Sequence, residues 1–229
     1  MSRVKTGGTY SGYFVAIAAA FVTALVVSNI IAVKLTEAGG HVLDAGNNLF
    51  PLAYLLGDVL TEVYGFRTAR RVILLGFACN LLAVGAIQLA IALPAADFWE
   101  PNQEAYSSVL GTSLRLFGAS LAAYLVGELS NSLVLARLKV ATGGRYLWVR
   151  TIGSSLVGQG LDSLVFVLLA FAGTGAPLVE TIVTTWVAKV AWEIAATPLT
   201  YAAVNGLKRR EGLDPFDHDL RLGPLAFLR

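Results

Sequence analysis

Long apolar runs separated by short polar connections dominate this chain. A bilayer core is about 30 Å thick and a helix rises about 1.5 Å per residue, so a span needs about 20 apolar residues. Six stretches meet or approach that requirement, at about 13–35, 48–65, 70–93, 113–137, 147–172 and 178–206. The first reads "YFVAIAAAFVTALVVSNIIAVKL" and the third "RRVILLGFACNLLAVGAIQLAIAL". The second, which contains "LLGDVLTEVYG" (55–65), is short and holds two acids. The pattern predicts an all-α integral membrane protein, with six transmembrane helices in one bundle and a short tail at 207–229. One transmembrane domain accounts for all 229 residues.

The charges orient the bundle. Cytoplasmic flanks collect Lys and Arg. One set of alternate flanks holds Arg3, Lys5, Arg67, Arg70, Arg71, Arg137, Lys139, Arg145 and Lys208–Arg210. The other holds Lys34 and then mostly acids, among them Glu37, Asp44, Asp97, Glu100, Glu104 and Glu180. That asymmetry fits six spans with both termini cytoplasmic, and five or seven spans scramble it. Arg3 and Lys5 before an apolar stretch also resemble the start of a secretory signal, but the stretch is too long for one.

Composition agrees. Only 14% of residues are charged, against about 25% in an average soluble domain, and no polar stretch is long enough for a second domain. One cysteine, Cys79, cannot form an internal disulfide. His41 and His218 lie far apart in sequence and do not suggest a metal site. No Gly-rich phosphate loop is present. Nothing calls for a cofactor or nucleic acid.

Polar residues inside the apolar spans carry the functional signal. The second span has Asp58 and Glu62, the fourth Glu128 and Asn131, the fifth Ser155, Gln159 and Asp162, and the sixth Trp186, Lys189 and Glu193. Spacings of three or four place each set on one helix face. Counting residues from the span ends puts Asp58, Asp162 and Lys189 near the midplane, with Glu62 and Glu128 closer to the cytoplasm. Glu62 is within reach of pairing with Arg67 or Arg70. A charge at the bilayer centre costs about 2.5–3.5 kcal/mol on insertion scales, so such groups face the interior or a wet cavity. Lys189 could neutralise Asp58 or Asp162 in a purely structural network. It is one base against five acids, however (Asp58, Glu62, Glu128, Asp162, Glu193). A low dielectric does not tolerate that imbalance, so some acids must be protonated, solvated or complemented by a ligand. Asn29, in "SNII" of the first span, adds an amide to the set. Ala16, Ala20 and Ala24 make a small-residue stripe suited to close packing, within the bundle, in a homodimer or against a partner subunit.

Acids and amides accept from and donate to N–H groups, and Trp186 offers a face for stacking. The pocket so outlined suits a planar, N–H-rich heterocycle or an organic cation as small-molecule substrate.

Four stretches, "FPLAYLLGDVLTEVYGFRTARRVI" (50–73), "AYLVGELSNSLVLARLK" (123–139), "LWVRTIGSSLVGQGLDSLVFVLLAF" (147–171) and "KVAWEIAATPLTYAAVNGLKR" (189–209), strongly resemble the queuosine precursor transporter family, also grouped with vitamin uptake transporters. The resemblance implies a six-helix carrier in the bacterial inner (plasma) membrane. It implies import of 7-cyano-7-deazaguanine, 7-aminomethyl-7-deazaguanine or both, precursors of a modified tRNA base. It further implies an architecture similar to the substrate-binding components of energy-coupling-factor vitamin transporters, working without their ATPase partners. The family-like positions are Asn29, Asp58, Asn131, Gln159, Asp162 and Lys189. Glu128 departs from the Gln of many relatives, which puts local charge and substrate preference in doubt. On this resemblance Asp162 or Glu128 reads the guanine edge with help from Gln159 and Asn131, and Asp58 with Lys189 forms an ion pair that gates or couples the cavity. Glu62 and Glu193 are further candidates for coupling or gating. Three other readings stay open: a binding component that needs separate energising subunits, an intramembrane enzyme using Asp58 and Asp162 as paired acids, and a purely structural membrane protein.

Overall fold

In a computed structural model, residues 10–38, 41–111 and 114–218 are described, and they are predominantly helical. Helix α1 spans Gly12–Ile31, α2 Phe50–Tyr64, α3 Phe66–Ala92, α4 Gln103–Leu110, α5 Leu114–Ala141, α6 Leu147–Phe171 and α7 Leu178–Glu211. The protein is an all-α membrane bundle. Helices α1, α3 and α6, and the stretch containing α5, are long and apolar enough to cross a membrane. Their outward faces are apolar and exposed, as at Leu75, Leu82, Leu89, Leu164 and Leu168, which suits lipid rather than water.

The two remaining long helices depart from the simple span pattern for a physical reason. With 15 residues, α2 is about 22 Å long. It touches α1, α3, α5 and α7, and from Ala53 to Val63 every residue except Leu56 is buried. A helix enclosed by other helices meets little lipid, so it can be short and carry acids. Helix α7 has 34 residues and holds Lys208, Arg209 and Arg210 in its last turn, which adds charge to its cytoplasm-like end rather than to its apolar length.

The first span was expected to reach residue 35. Instead α1 stops at Ile31, and Leu35–Ala38 pairs antiparallel with His41–Asp44, Leu35 opposite Asp44 and Ala38 opposite His41. Thr36 and Val42 are β-branched and suit a strand. Periodicity does not separate a short apolar strand from the end of a helix. A one-turn 3-10 segment, Ala45–Asn48, leads into α2, whose first turn holds Pro51. Between α3 and α5 the chain also forms α4 and, just before it, a 3-10 segment at Glu100–Asn102.

One glycine, Gly65, separates α2 from α3 at φ 84°, a conformation open to glycine at little cost. The backbone N–H of Phe66, at the start of α3, donates to Asp217 Oδ2 at 2.9 Å. The start of α1 and the end of α7 meet at this end of the bundle: Ser11 Oγ donates to Glu211 and Arg210 donates to Tyr13 Oη at 3.2 Å. Helices α5 and α6 make the most intimate contact of the bundle. At their crossing Gly127 lies against Gly158, and a Cβ on Gly158 would strike Asn131. The glycines of "GELSN" and "VGQGLD" therefore bring two backbones together. The small-residue stripe of α1 divides, with Ala24 buried and Ala16 and Ala20 exposed.

Candidate functional site

Three polar layers lie along the bundle. The outermost is a cavity of about 580 Å³. Its walls include Asn29 of α1, Asn80 of α3, Ser120 of α5 and Thr185 of α7, and Ser108 of α4 stands among its lining residues. Asp162 and Lys189 also line it. The amides form a connected chain of hydrogen bonds. Asn29 Nδ2 donates to Asn80 Oδ1 at 2.8 Å and to Leu25 O at 3.2 Å, while Ser120 Oγ donates to Asn29 Oδ1 at 2.9 Å. Asn80 Nδ2 donates to Gly76 O at 3.0 Å. This chain ties α1, α3 and α5 together.

Lys189 Nζ donates to Asp162 Oδ2 in a nearly buried ion pair and sits 4.5 Å from the centroid of the Phe50 ring. The pair presents a cation, a carboxylate and an aromatic ring at one place in the cavity. The expected Asp58–Lys189 pair is absent. Lys189 of α7 finds Asp162 on the adjacent helix α6, whereas Asp58 receives a 2.7 Å hydrogen bond from Asn131 Nδ2. Asp58 and Asp162, the two acids of the enzyme reading, thus each have a different partner. Trp186 is also placed differently from the expectation. Its indole N–H donates to Leu156 O at 3.1 Å and its ring lies against Gly160, outside the cavity lining. Phe50 supplies the ring instead.

Asp58, Glu128, Asn131, Gln159 and Glu193 form the second layer, each at most 2% exposed. It lies about one helical turn inward: Glu193 follows Lys189 by four residues and Gln159 precedes Asp162 by three. Gln159 Nε2 donates to Glu193 Oε2 at 3.4 Å. Glu128 packs against Gly57 of α2, where any Cβ would collide with its carboxylate. Asp58 Oδ2, Glu128 Oε1, Asn131 Oδ1, Gln159 Oε1 and Glu193 Oε1 have no hydrogen-bond partner.

The third layer is centred on Glu62, one turn beyond Asp58. Arg150 and Lys208 contact Glu62 Oε1 at 2.7 and 2.6 Å, and Lys139 lies 3.5 Å away. Lys139 and Lys208 also hold Asp214 at 2.7 and 2.8 Å. Arg67 and Arg70 were the expected partners. Helices α5, α6 and α7 bring their own basic residues to Glu62 first. Burial tends to raise the Asp214 carboxyl, but hydrogen bonds from Lys139 and Lys208 outweigh it and hold the group below its usual 3.8. The tail runs on over this cluster, with Phe216 5.1 Å from Lys139 Nζ and against Gly144.

The sequence reading missed Asn80, Ser120, Phe50 and the basic partners of Glu62. Asn80 was legible as an amide in the middle of the third span. Phe50 carries no mark that separates it from any other apolar residue.

The family described as "Putative vitamin uptake transporter" matches residues 44–203. This chain belongs to that family. Two relatives are each named "Probable queuosine precursor transporter". That of Bacillus subtilis (strain 168) is 29% identical over 183 residues, 79% of this chain and 80% of the relative. That of Haemophilus influenzae (strain ATCC 51907 / DSM 11121 / KW20 / Rd) is 27% identical over 135 residues, 58% of this chain and 53% of the relative. No solved structure matches the chain. Within this vitamin uptake transporter family member, the matched stretch contains all of the second layer, the Asp162–Lys189 pair and Glu62. Asn29, Lys208 and Asp214 lie outside it.

Proposed function

We propose that the protein imports queuosine precursors, 7-cyano-7-deazaguanine or its 7-aminomethyl relative, across the bacterial inner membrane through the outer cavity. The observation that carries this reading is the Asp162–Lys189 pair at the cavity, beside the Phe50 ring. A guanine-like edge offers ring N–H and amine donors to a carboxylate and a carbonyl to a cation. Asp162 and Lys189 would exchange their mutual bond for those of the substrate, and Phe50 would cover its flat face. The volume lies in the range of small-ligand sites, about 300–1,000 Å³. Names of the two relatives point to the same substrate class. Glu128, Asn131, Gln159 and Asp58 lie beneath the pair and act once it opens.

Thermal stability of the detergent-purified protein with each deazaguanine, and with guanine and adenine as controls, tests the substrate. A ligand bound at 100 times its Kd adds about 2.7 kcal/mol to the folded state. A rise in melting temperature with deazaguanines alone supports the reading, and equal response to all four or to none refutes it. Uptake by the purified chain alone in liposomes tests independence from energising subunits.

A further inference from the structure

We propose that the layer formed by Asp58, Glu128 and Glu193 is a proton-binding site, loaded in this conformation, whose protons move with the substrate. The link to substrate rests on the transport reading above, but occupancy of the site by protons does not.

The basis is an imbalance of donors and acceptors. Three carboxyl groups on α2, α5 and α7 are at most 1% exposed. Among the described residues none of them is paired with a cation: Lys189 is held by Asp162, and Arg150 and Lys208 by Glu62. The groups are close, since Glu193 and Glu128 act electrostatically on Asp58, and Glu193 and Asp162 on Glu128. Two amides serve them, yet Asn131 has one donation into the layer, to Asp58, and Gln159 one, to Glu193. One oxygen of each acid and both amide oxygens remain without a donor. An ionised carboxylate only accepts, whereas a protonated one donates. Loading the site is the step carboxylate plus proton to carboxylic acid, with no other bond changed. It converts unmatched acceptors into donors, in a layer where two amide oxygens also lack a donor, and removes uncompensated buried charge.

The other titratable or charged groups around it are Tyr54 and Glu62 on α2, Tyr124 on α5, Asp162 on α6 and Lys189 on α7. Asp162–Lys189 separates the layer from the cavity, and the Glu62 cluster separates it from the cytoplasmic end. Opening the first pair admits substrate and external protons. Opening the second exposes the acids to the cytoplasm, where they ionise.

Infrared spectroscopy of the protein in membranes at neutral pH reads occupancy without substrate. The expected result is a carbonyl-stretch band of protonated carboxylic acid, weaker in Asp58→Asn, Glu128→Gln and Glu193→Gln, each measured in protein shown to be folded. Absence of the band in folded wild type overturns the proposal. Liposomes carrying a pH dye then read coupling. Uptake of 7-aminomethyl- or 7-cyano-7-deazaguanine should acidify the lumen, and one pH unit should drive about tenfold accumulation per proton carried. In Glu193→Gln the gradient-driven accumulation falls while substrate-for-substrate exchange persists. Active uptake in wild type with no proton entry and no response to the gradient overturns the coupling. If neither deazaguanine is taken up but the band is present, the substrate assignment fails and the proton site stands.

Discussion

Replacing Glu62 by Gln removes the acid on which Arg150, Lys208 and Lys139 converge. Arg150 and Glu62 are 1% and 0% exposed at their side chains. The guanidinium then loses its carboxylate while staying buried. Lys139 and Lys208 keep Asp214, so the loss falls mainly on Arg150. Breaking a buried pair by removing one partner costs about 3–5 kcal/mol, because the other charge is left uncompensated. At about 2–4 °C per kcal/mol for a chain of this size, the melting temperature in detergent should fall by about 6–20 °C. The double variant Glu62→Gln/Arg150→Met should recover much of that loss, since removing both partners also removes the desolvation penalty. Thermal unfolding of wild type, both single variants and the double variant forms a cycle whose interaction energy isolates the pair. A loss in Glu62→Gln below about 1 kcal/mol, the value of a surface ion pair, would refute the reasoning. It would mean that water already screens the cluster.

Lys189→Met leaves Asp162 unpaired in the cavity; deazaguanine affinity in a binding assay should fall by about 30-fold or more, from the 2–5 kcal/mol cost of truncating one partner of a buried charge pair. Gly158→Ala forces α5 from α6 and should cost about 1–3 kcal/mol in thermal unfolding. Gly118→Ala, where a Cβ meets open space, should be neutral or stabilise by up to about 1 kcal/mol. Asp214, whose folded value lies below 3.8, strengthens tail docking at pH above that value, and the gain disappears as pH falls through the folded value. A spin label on His218→Cys should therefore gain mobility on acidification below about pH 4, with the acid-dependent change lost in Asp214→Asn.

The membrane class, the helical architecture and the main polar cast were legible in the sequence, because each follows from local facts. Apolar runs of about 20 residues leave few alternatives to helix in a bilayer. An acid such as Asp58 inside such a run must be sheltered wherever the helices sit. Asn29, Asp162 and Lys189, all singled out in the sequence, line the cavity. Partnership was not legible. Whether Lys189 meets Asp58 or Asp162 depends on which helices are neighbours and at what depth, and no spacing along one helix contains that information. The same holds for Glu62, whose nearby arginines in sequence were passed over for Arg150, Lys139 and Lys208 from three other helices. Trp186 faces α6 rather than the cavity, its indole bonded to Leu156 O and its ring against Gly160, a contact between residues 26 positions apart. The sequence by itself determined what had to be buried; the tertiary structure decided what each buried group faces, since charge pairing and hydrogen bonding are short-ranged and their partners come from distant parts of the chain.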